Sequence, residues 1–281
     1  MYRPMRSLQV GSAVLICGLA PILLSCERIR DLLEEKTASF QTIHGPDSEP
    51  PSHDFLRAFV TMPEKVCSGG IVVSASYVLT AAHCPLEDSV TLAATNSSFE
   101  VHKKKRCCHP CFKRSNGNLH LSHDLALWRL TSAVPQANRW DLHQVILDPQ
   151  GAGFATVAVH LGQPWRTMSI GVLPSTDCSK AQKNSVGAEE FCAGTSQSNI
   201  CDGASGGPFF KVDSASQPTH LAGIVSDDEN GPCEGMFDLY TKIDRAWIRG
   251  VMAGKNWCGD CRSFSKPACD KFKEERALVT N

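Results

Sequence analysis

The chain has 281 residues, of which 42% are hydrophobic, 20% charged and 7% aromatic, with 21 Gly and 16 Pro. This composition excludes a disordered, collagenous or polytopic membrane chain and leaves apolar surface for one large core or two smaller ones. A net charge of −1 offers no field to draw nucleic acid, whereas 14 cysteines point to an oxidising compartment or to bound metal.

At the amino terminus, Arg3 and Arg6 precede a stretch from Ser7 to Cys26 that carries no charge. A basic start, an apolar middle and small residues at the end make a secretory signal. An uncleaved membrane anchor is the competing reading, since about 20 apolar residues span a bilayer. Gly11, Gly18 and Pro21 make a poor continuous helix and weigh against it. The segment Leu23-Leu24-Ser25-Cys26 resembles the bacterial lipobox, in which the chain is cut before the cysteine and the new terminus is lipidated. That resemblance implies a lipoprotein-type signal peptide over 1–25, a polar tether over 26–42 and an acylated Cys26. The protein would then be exported to a bacterial cell envelope and held on its membrane by lipid. Glu27, where an Asp would retain such a protein, resembles outer-membrane sorting. Twelve cysteines remain after Cys17 and Cys26, an even number.

From Phe55 onward short apolar runs alternate with Gly, Pro, Ser and Asn, as in Gly70-Ile71-Val72-Val73, Leu125-Ala126-Leu127-Trp128, Ala155–Val159 and Leu221–Val225. Runs of this length bounded by turn residues predict an all-β barrel or sandwich. One segment, Asp244–Val251, reads as helix, with Ile243, Trp247, Ile248 and Val251 on one face. Residues 254–281 are polar and hold three cysteines, a Cys-rich extension.

Three motifs carry chemistry: Thr80-Ala81-Ala82-His83-Cys84, Asp124-Leu125-Ala126-Leu127, and Gly203-Ala204-Ser205-Gly206-Gly207-Pro208. A serine hydroxyl is a poor nucleophile at neutral pH and needs a base beside it. His83 can be that base, and Asp124 can fix its tautomer and stabilise its charge. Gly203 lets the chain aim the amides of Gly203 and Ser205 at a developing oxyanion. The order His, Asp, Ser on a β-rich chain resembles the trypsin-like serine proteases over residues 43–253. The resemblance implies two six-stranded Greek-key β-barrels of the chymotrypsin type, a C-terminal helix, and hydrolysis of protein or peptide substrates through an acyl-enzyme. It implies a monomer that needs no cofactor or metal. Ser226 falls where the family has a serine supporting the buried aspartate.

The same resemblance implies disulfides Cys67–Cys84, Cys178–Cys192 and Cys201–Cys233. Cys107, Cys108 and Cys111 lie between His83 and Asp124, and Cys258, Cys261 and Cys269 lie in the tail. Equal numbers suggest a tail stapled to the body, with the pairing open among 15 possibilities. A redox dithiol at Cys258-Gly259-Asp260-Cys261 and a zinc site including His109 are the competing readings. The basic run Lys103–Arg106, with Lys113 and Arg114, reads as a solvated face.

Departures from the family pattern matter for function. Activated trypsins bury a freshly cut amino terminus beside an aspartate that precedes the nucleophile, and here that residue is Ala204. Ile43-His44-Gly45 stands where such a terminus would begin, preceded by Thr42 and not by Lys or Arg. The favoured expectation is a site that forms without zymogen cleavage. The alternative is a poorly organised oxyanion loop, giving a catalytically weak or inactive homologue that binds proteins. His160-Leu161-Gly162 replaces the family's Gly-Trp-Gly turn, and Ser226-Asp227-Asp228 runs where the family's substrate-pairing strand has Trp-Gly, which implies a narrower pocket mouth at Asp228 and repulsion of acidic substrates. Asn199 occupies the pocket base, where trypsins have Asp, and Asp238 occupies a wall position. The expectation is a modest preference for Lys or Arg, carried by Asp238.

Overall fold

The computed structural model describes residues 43–44, 56–63, 67–114, 121–146, 149, 154–158, 166–173, 178, 186–194, 199–200, 204–212, 218–227 and 238–280. The signal, Cys26, the tether and the His160-Leu161 turn lie outside these residues, as do Cys201, Gly203, Asp228 and Cys233.

In chain order the strands of the first half are β1 (Ile43–His44), β2 (Phe59–Thr61), β3 (Gly69–Ser74), β4 (Tyr77–Thr80), β5 (Ser89–Leu92), β6 (Ser98–Cys108), β7 (Lys113–Arg114), β8 (Leu121–Ser122) and β9 (Ala126–Leu130). Six of them close a barrel in the order β2-β3-β4-β9-β6-β5. Closure leaves no unpaired edge, and apolar residues such as Phe59, Ile71, Leu79, Leu127 and Trp128 fill the interior completely buried.

The second half contributes β10 (Phe154–Ala158), β11 (Arg166–Ile170), β12 (Glu190–Ala193), β13 (Asn199–Ile200), β14 (Pro208–Val212), β15 (Pro218–Asp227) and β16 (Asp238–Lys242). Its six-stranded sheet runs β11-β10-β14-β15-β16-β12. A bridge between Val172 and Ala193 joins the two ends of that order, so this sheet also curls back on itself. Phe191, Phe209, Val225 and Tyr240 form its own core. The pair β1–β13 sits apart, with Ile43 opposite Ile200.

Helix α1 (Arg245–Met252) lies where the sequence predicts it, N-capped by the Asp244 side chain, which accepts a hydrogen bond of 2.9 Å from the Trp247 amide. A second helix, α2 (Lys266–Thr280), lies in the Cys-rich extension, where the sequence pattern does not predict one. It has only a narrow apolar stripe, with Cys269 and Phe272 buried, but its Lys, Ala, Glu, Arg and Leu content favours helix. The tail is bound to the body by Cys107–Cys258, Cys108–Cys261 and Cys111–Cys269. This resolves the open pairing and removes both competitors: Cys258 and Cys261 bond to different partners, and no thiol is left at His109 for zinc. Trp257 seals the junction, lying against Gly250 so closely that a Cβ there would come within 2.2 Å of its ring.

Candidate active site

Strand pairing alone brings His83 and Asp124 together. β4 and β9 are antiparallel neighbours, and the end of one, Thr80, lies opposite the start of the other, Ala126. Three residues beyond Thr80 and two before Ala126 therefore meet above the barrel rim. His83 Nδ1 lies 2.6 Å from Asp124 Oδ2, and the His83 amide donates to Oδ1 at 2.8 Å. The carboxylate is fully buried, while the imidazole keeps 16% of its side-chain surface. A proton on Nδ1 satisfies Asp124 and makes Nε2 the basic nitrogen of the ring.

The second sheet supplies the remaining partners. Ser226, buried near the end of β15, donates from Oγ to Asp124 Oδ2 at 2.7 Å, across the seam between the two halves. Beside it, the Gly206 amide donates to the Val225 carbonyl at 2.9 Å. This ties the Ser205 turn to the same strand. From the first barrel, the Ser68 amide donates to the Ser205 carbonyl at 3.0 Å and Ser68 Oγ to the Ala204 carbonyl at 2.9 Å. Gly206 has φ +80°, and a Cβ there would come within 2.3 Å of Thr80 Oγ1 and 3.3 Å of Cys84 Sγ. The turn that carries Ser205 is thus pressed against the segment that carries His83, and Ser205 itself is half-buried. The disulfide Cys67–Cys84 closes that segment.

Ala204 is 1% exposed and sits among Ile170, Phe191, Phe209 and Tyr240. Among the described residues this cluster is apolar and offers no counter-charge to an ammonium brought in at Ile43. Asp238 is buried at the start of β16, opposite Ala193, and Cys178–Cys192 lies on the neighbouring strand. Asn199 pairs through its backbone with His44.

Two contributors escape a reading of the sequence. Arg106 sits in the run expected to be solvated, yet only Lys103, Lys104 and Lys105 are exposed. The ladder between β6 and β9 slips between Val101 and Arg106, a bulge that turns Arg106 inward. Its Nη2 donates to the carbonyls of both Ala82 and Cys84, the residues flanking His83. Burial holds this guanidinium below its ordinary value, and Asp124 opposes that shift. Its place directly before Cys107-Cys108 is the signal that separates it from the lysines.

The second contributor is the layer behind Asp124. His123, in left-handed backbone conformation at φ 53°, stacks on His109 with ring centroids 4.8 Å apart. His109 packs in turn against Trp247 and the tail's Phe272, and its amide donates to the Leu125 carbonyl at 2.8 Å. Burial lowers the His109 value despite the nearby Asp244, 3.3 Å from Nε2. Burial pushes Asp244 upward, but bonds from His109 and the Trp247 amide outweigh it and hold the carboxyl below its usual range.

Comparison with known proteins bears on family and fold. The family profile described as Trypsin matches residues 43–248. Vitamin K-dependent protein C of the rabbit Oryctolagus cuniculus is 27% identical over 228 residues, covering 68% of this chain and 48% of that protein. The mouse protein of the same name is 25% identical over 267 residues, covering 82% of this chain and 55% of the relative. The chain therefore spans about half the length of the curated relatives it matches. Among solved structures, mouse neuropsin, described as a serine protease expressed in the limbic system, superposes with a TM-score of 0.59. It is 22% identical and covers 73% of this chain and 98% of its own, a likeness of fold.

Proposed function

Because the chain belongs to the trypsin family of serine proteases, we propose that it is an exported serine endopeptidase working through Ser205, His83 and Asp124. One observation carries the reading: the buried Asp124 carboxylate accepts from both His83 and Ser226 while Ser205 sits on a turn held against the segment of His83 and the strand of Ser226. Ser205 Oγ attacks the scissile carbonyl as His83 Nε2 takes its proton. The amides of Gly203 and Ser205 receive the oxyanion, and the imidazolium then protonates the leaving amine. Water, activated by the same imidazole, hydrolyses the ester and regenerates Ser205.

The apolar surroundings of Ala204 support a site that forms without cleavage at Thr42–Ile43. They also favour the second reading, a weak or silent homologue that binds proteins, because they leave the turn without the family's buried ion pair. Asp238 would give a modest preference for Lys or Arg at the cleavage site. Acylation at Cys26 would hold a monomeric enzyme on an envelope membrane.

Hydrolysis of a peptide library by the full chain, against a Ser205→Ala control, tests the reading. The expected result is Ser205-dependent cleavage after Lys and Arg without prior processing at Ile43. Cleavage of no peptide, together with retained binding to proteins, would establish the silent homologue instead. A Lys/Arg preference unchanged in Asp238→Ala would remove the role given to Asp238.

A further inference from the structure

Between α1 and the tail lies an open groove of about 380 Å³ that the triad does not use. Arg245 and Arg249 line one side, four residues apart on α1 and so on one face of it. Lys255, in the turn that follows, and Arg276, from α2, supply the other side. The floor is small and apolar, with Gly250 and Trp257, and no lining residue is acidic.

Four cations around one groove are not a reflection of the whole chain, whose net charge is −1. Their partners are also unusual. Elsewhere on the tail, Lys266 pairs with Asp270 and Lys271 with Glu275. Among the described residues Arg276 is the groove cation that meets a carboxylate, Asp244, at 2.7 Å, while Trp257 Nε1 on the floor donates to Glu275 Oε2 at 2.6 Å. That same Asp244 also caps α1 and faces His109. Arg249 Nη2 lies 3.3 Å from His143 Nδ1, and Lys255 lies 4.4 Å from the Trp257 ring centroid. Arg245 stands at the first position of α1, where the helix dipole disfavours a cation. Placing a guanidinium there costs helix stability, and a ligand anion would offset the cost.

We propose that this groove binds a compact polyvalent oxyanion, a phosphate or sulfate ester, clamped between α1 and the tail. Three planar guanidiniums suit bidentate contact with tetrahedral oxyanions, and the ammonium of Lys255 adds a point charge. The volume lies toward the lower end of small-molecule sites, roughly 300–1,000 Å³. The tail supplies Lys255 and Arg276, so the three tail disulfides build the site as well as the fold. This binding function is separate from peptide hydrolysis and goes beyond it.

Isothermal titration of the Ser205→Ala chain, with its disulfides intact, tests the proposal independently of catalysis. Inorganic tripolyphosphate and sucrose octasulfate are the two probes, and the tighter of the two identifies the ester. The expected result is saturable one-to-one binding in roughly the micromolar range at low salt. Arg245→Gln combined with Arg249→Gln should weaken it at least about tenfold, the loss of two charge-assisted contacts. Lys266→Gln, a charge removed outside the groove, should leave it unchanged. Absence of saturable binding by either probe, or equal weakening in Lys266→Gln, would overturn the site.

Discussion

At the scale of single residues, the catalytic proposal turns on how firmly His83 is held. Asp124 fixes one ring nitrogen, and Arg106 fixes the backbone carbonyls on either side of the ring. Asp124→Asn removes the charge and allows the wrong tautomer, so it should lower kcat by about 10⁴-fold. Arg106→Met keeps much of the side chain's bulk but releases both carbonyls. It should lower kcat by about 10- to 100-fold with little change in KM, because misplacement acts on the reaction geometry. A variant as active as the parent would deny Arg106 a positioning role. His123 provides a separate test through stability. Burial, reinforced by His109 and Lys273, lowers its value to about 4. The unfolded chain therefore takes up a proton at His123 that the folded chain refuses. Stability from this group is complete above its ordinary value of about 6.5 and falls as the pH drops toward about 4, by up to about 3 kcal/mol. Asn tolerates the same left-handed backbone, so His123→Asn should flatten the fall in urea midpoint between about pH 7 and about pH 4.5. An equal fall in both proteins would assign the acid sensitivity elsewhere.

At the scale of elements, the ends of β4 and β9 place the His83–Asp124 pair, and the turn after Ala204 holds Ser205 against the segment that carries His83. This much is legible in the sequence, because the residues beside His83, Asp124 and Ser205 form motifs and the strands around them are short apolar runs. What is not legible depends on contacts remote in the chain. The inward turn of Arg106 comes from a slipped ladder with β9, which a run of four basic residues does not announce. The pairing of six cysteines depends on where the tail lies, and α2 has too narrow an apolar stripe to declare itself. Cys111–Cys269 is the bond that ties α2 itself to the body, across a sequence separation of 158. Replacing both cysteines by serine should cost about 2–4 kcal/mol of stability, read as a lower melting temperature with the other disulfides intact by mass. An unchanged melting temperature would mean that packing of Phe272 against Trp257 and His109 suffices. In the nucleophile turn, Ala204→Asp buries a carboxylate in an apolar cluster and should destabilise the uncleaved chain by several kcal/mol. Recovery of that stability on exposing an amino terminus at Ile43 would show that the turn can still be run by the family's ion pair.

At the scale of the whole molecule, two β units meet at one seam, and the residues proposed for catalysis come from both sides of it. The first barrel provides His83, Asp124 and the Arg106 brace; the second provides Ser205 and Ser226. The tail completes the structure from behind, setting Phe272 edge-on against His109, whose amide donates to the carbonyl of Leu125 next to Asp124. The function proposed above requires this assembly to activate Ser205 as a nucleophile without proteolytic maturation at Thr42–Ile43. Labelling of the uncleaved, disulfide-intact chain with a fluorophosphonate, followed by mass mapping of the modified residue, measures that directly. One phosphonyl group per chain is expected on Ser205, lost in Ser205→Ala and strongly slowed in His83→Ala. An uncleaved chain that takes up no label, or takes it up at the same rate without His83, would contradict the proposed function.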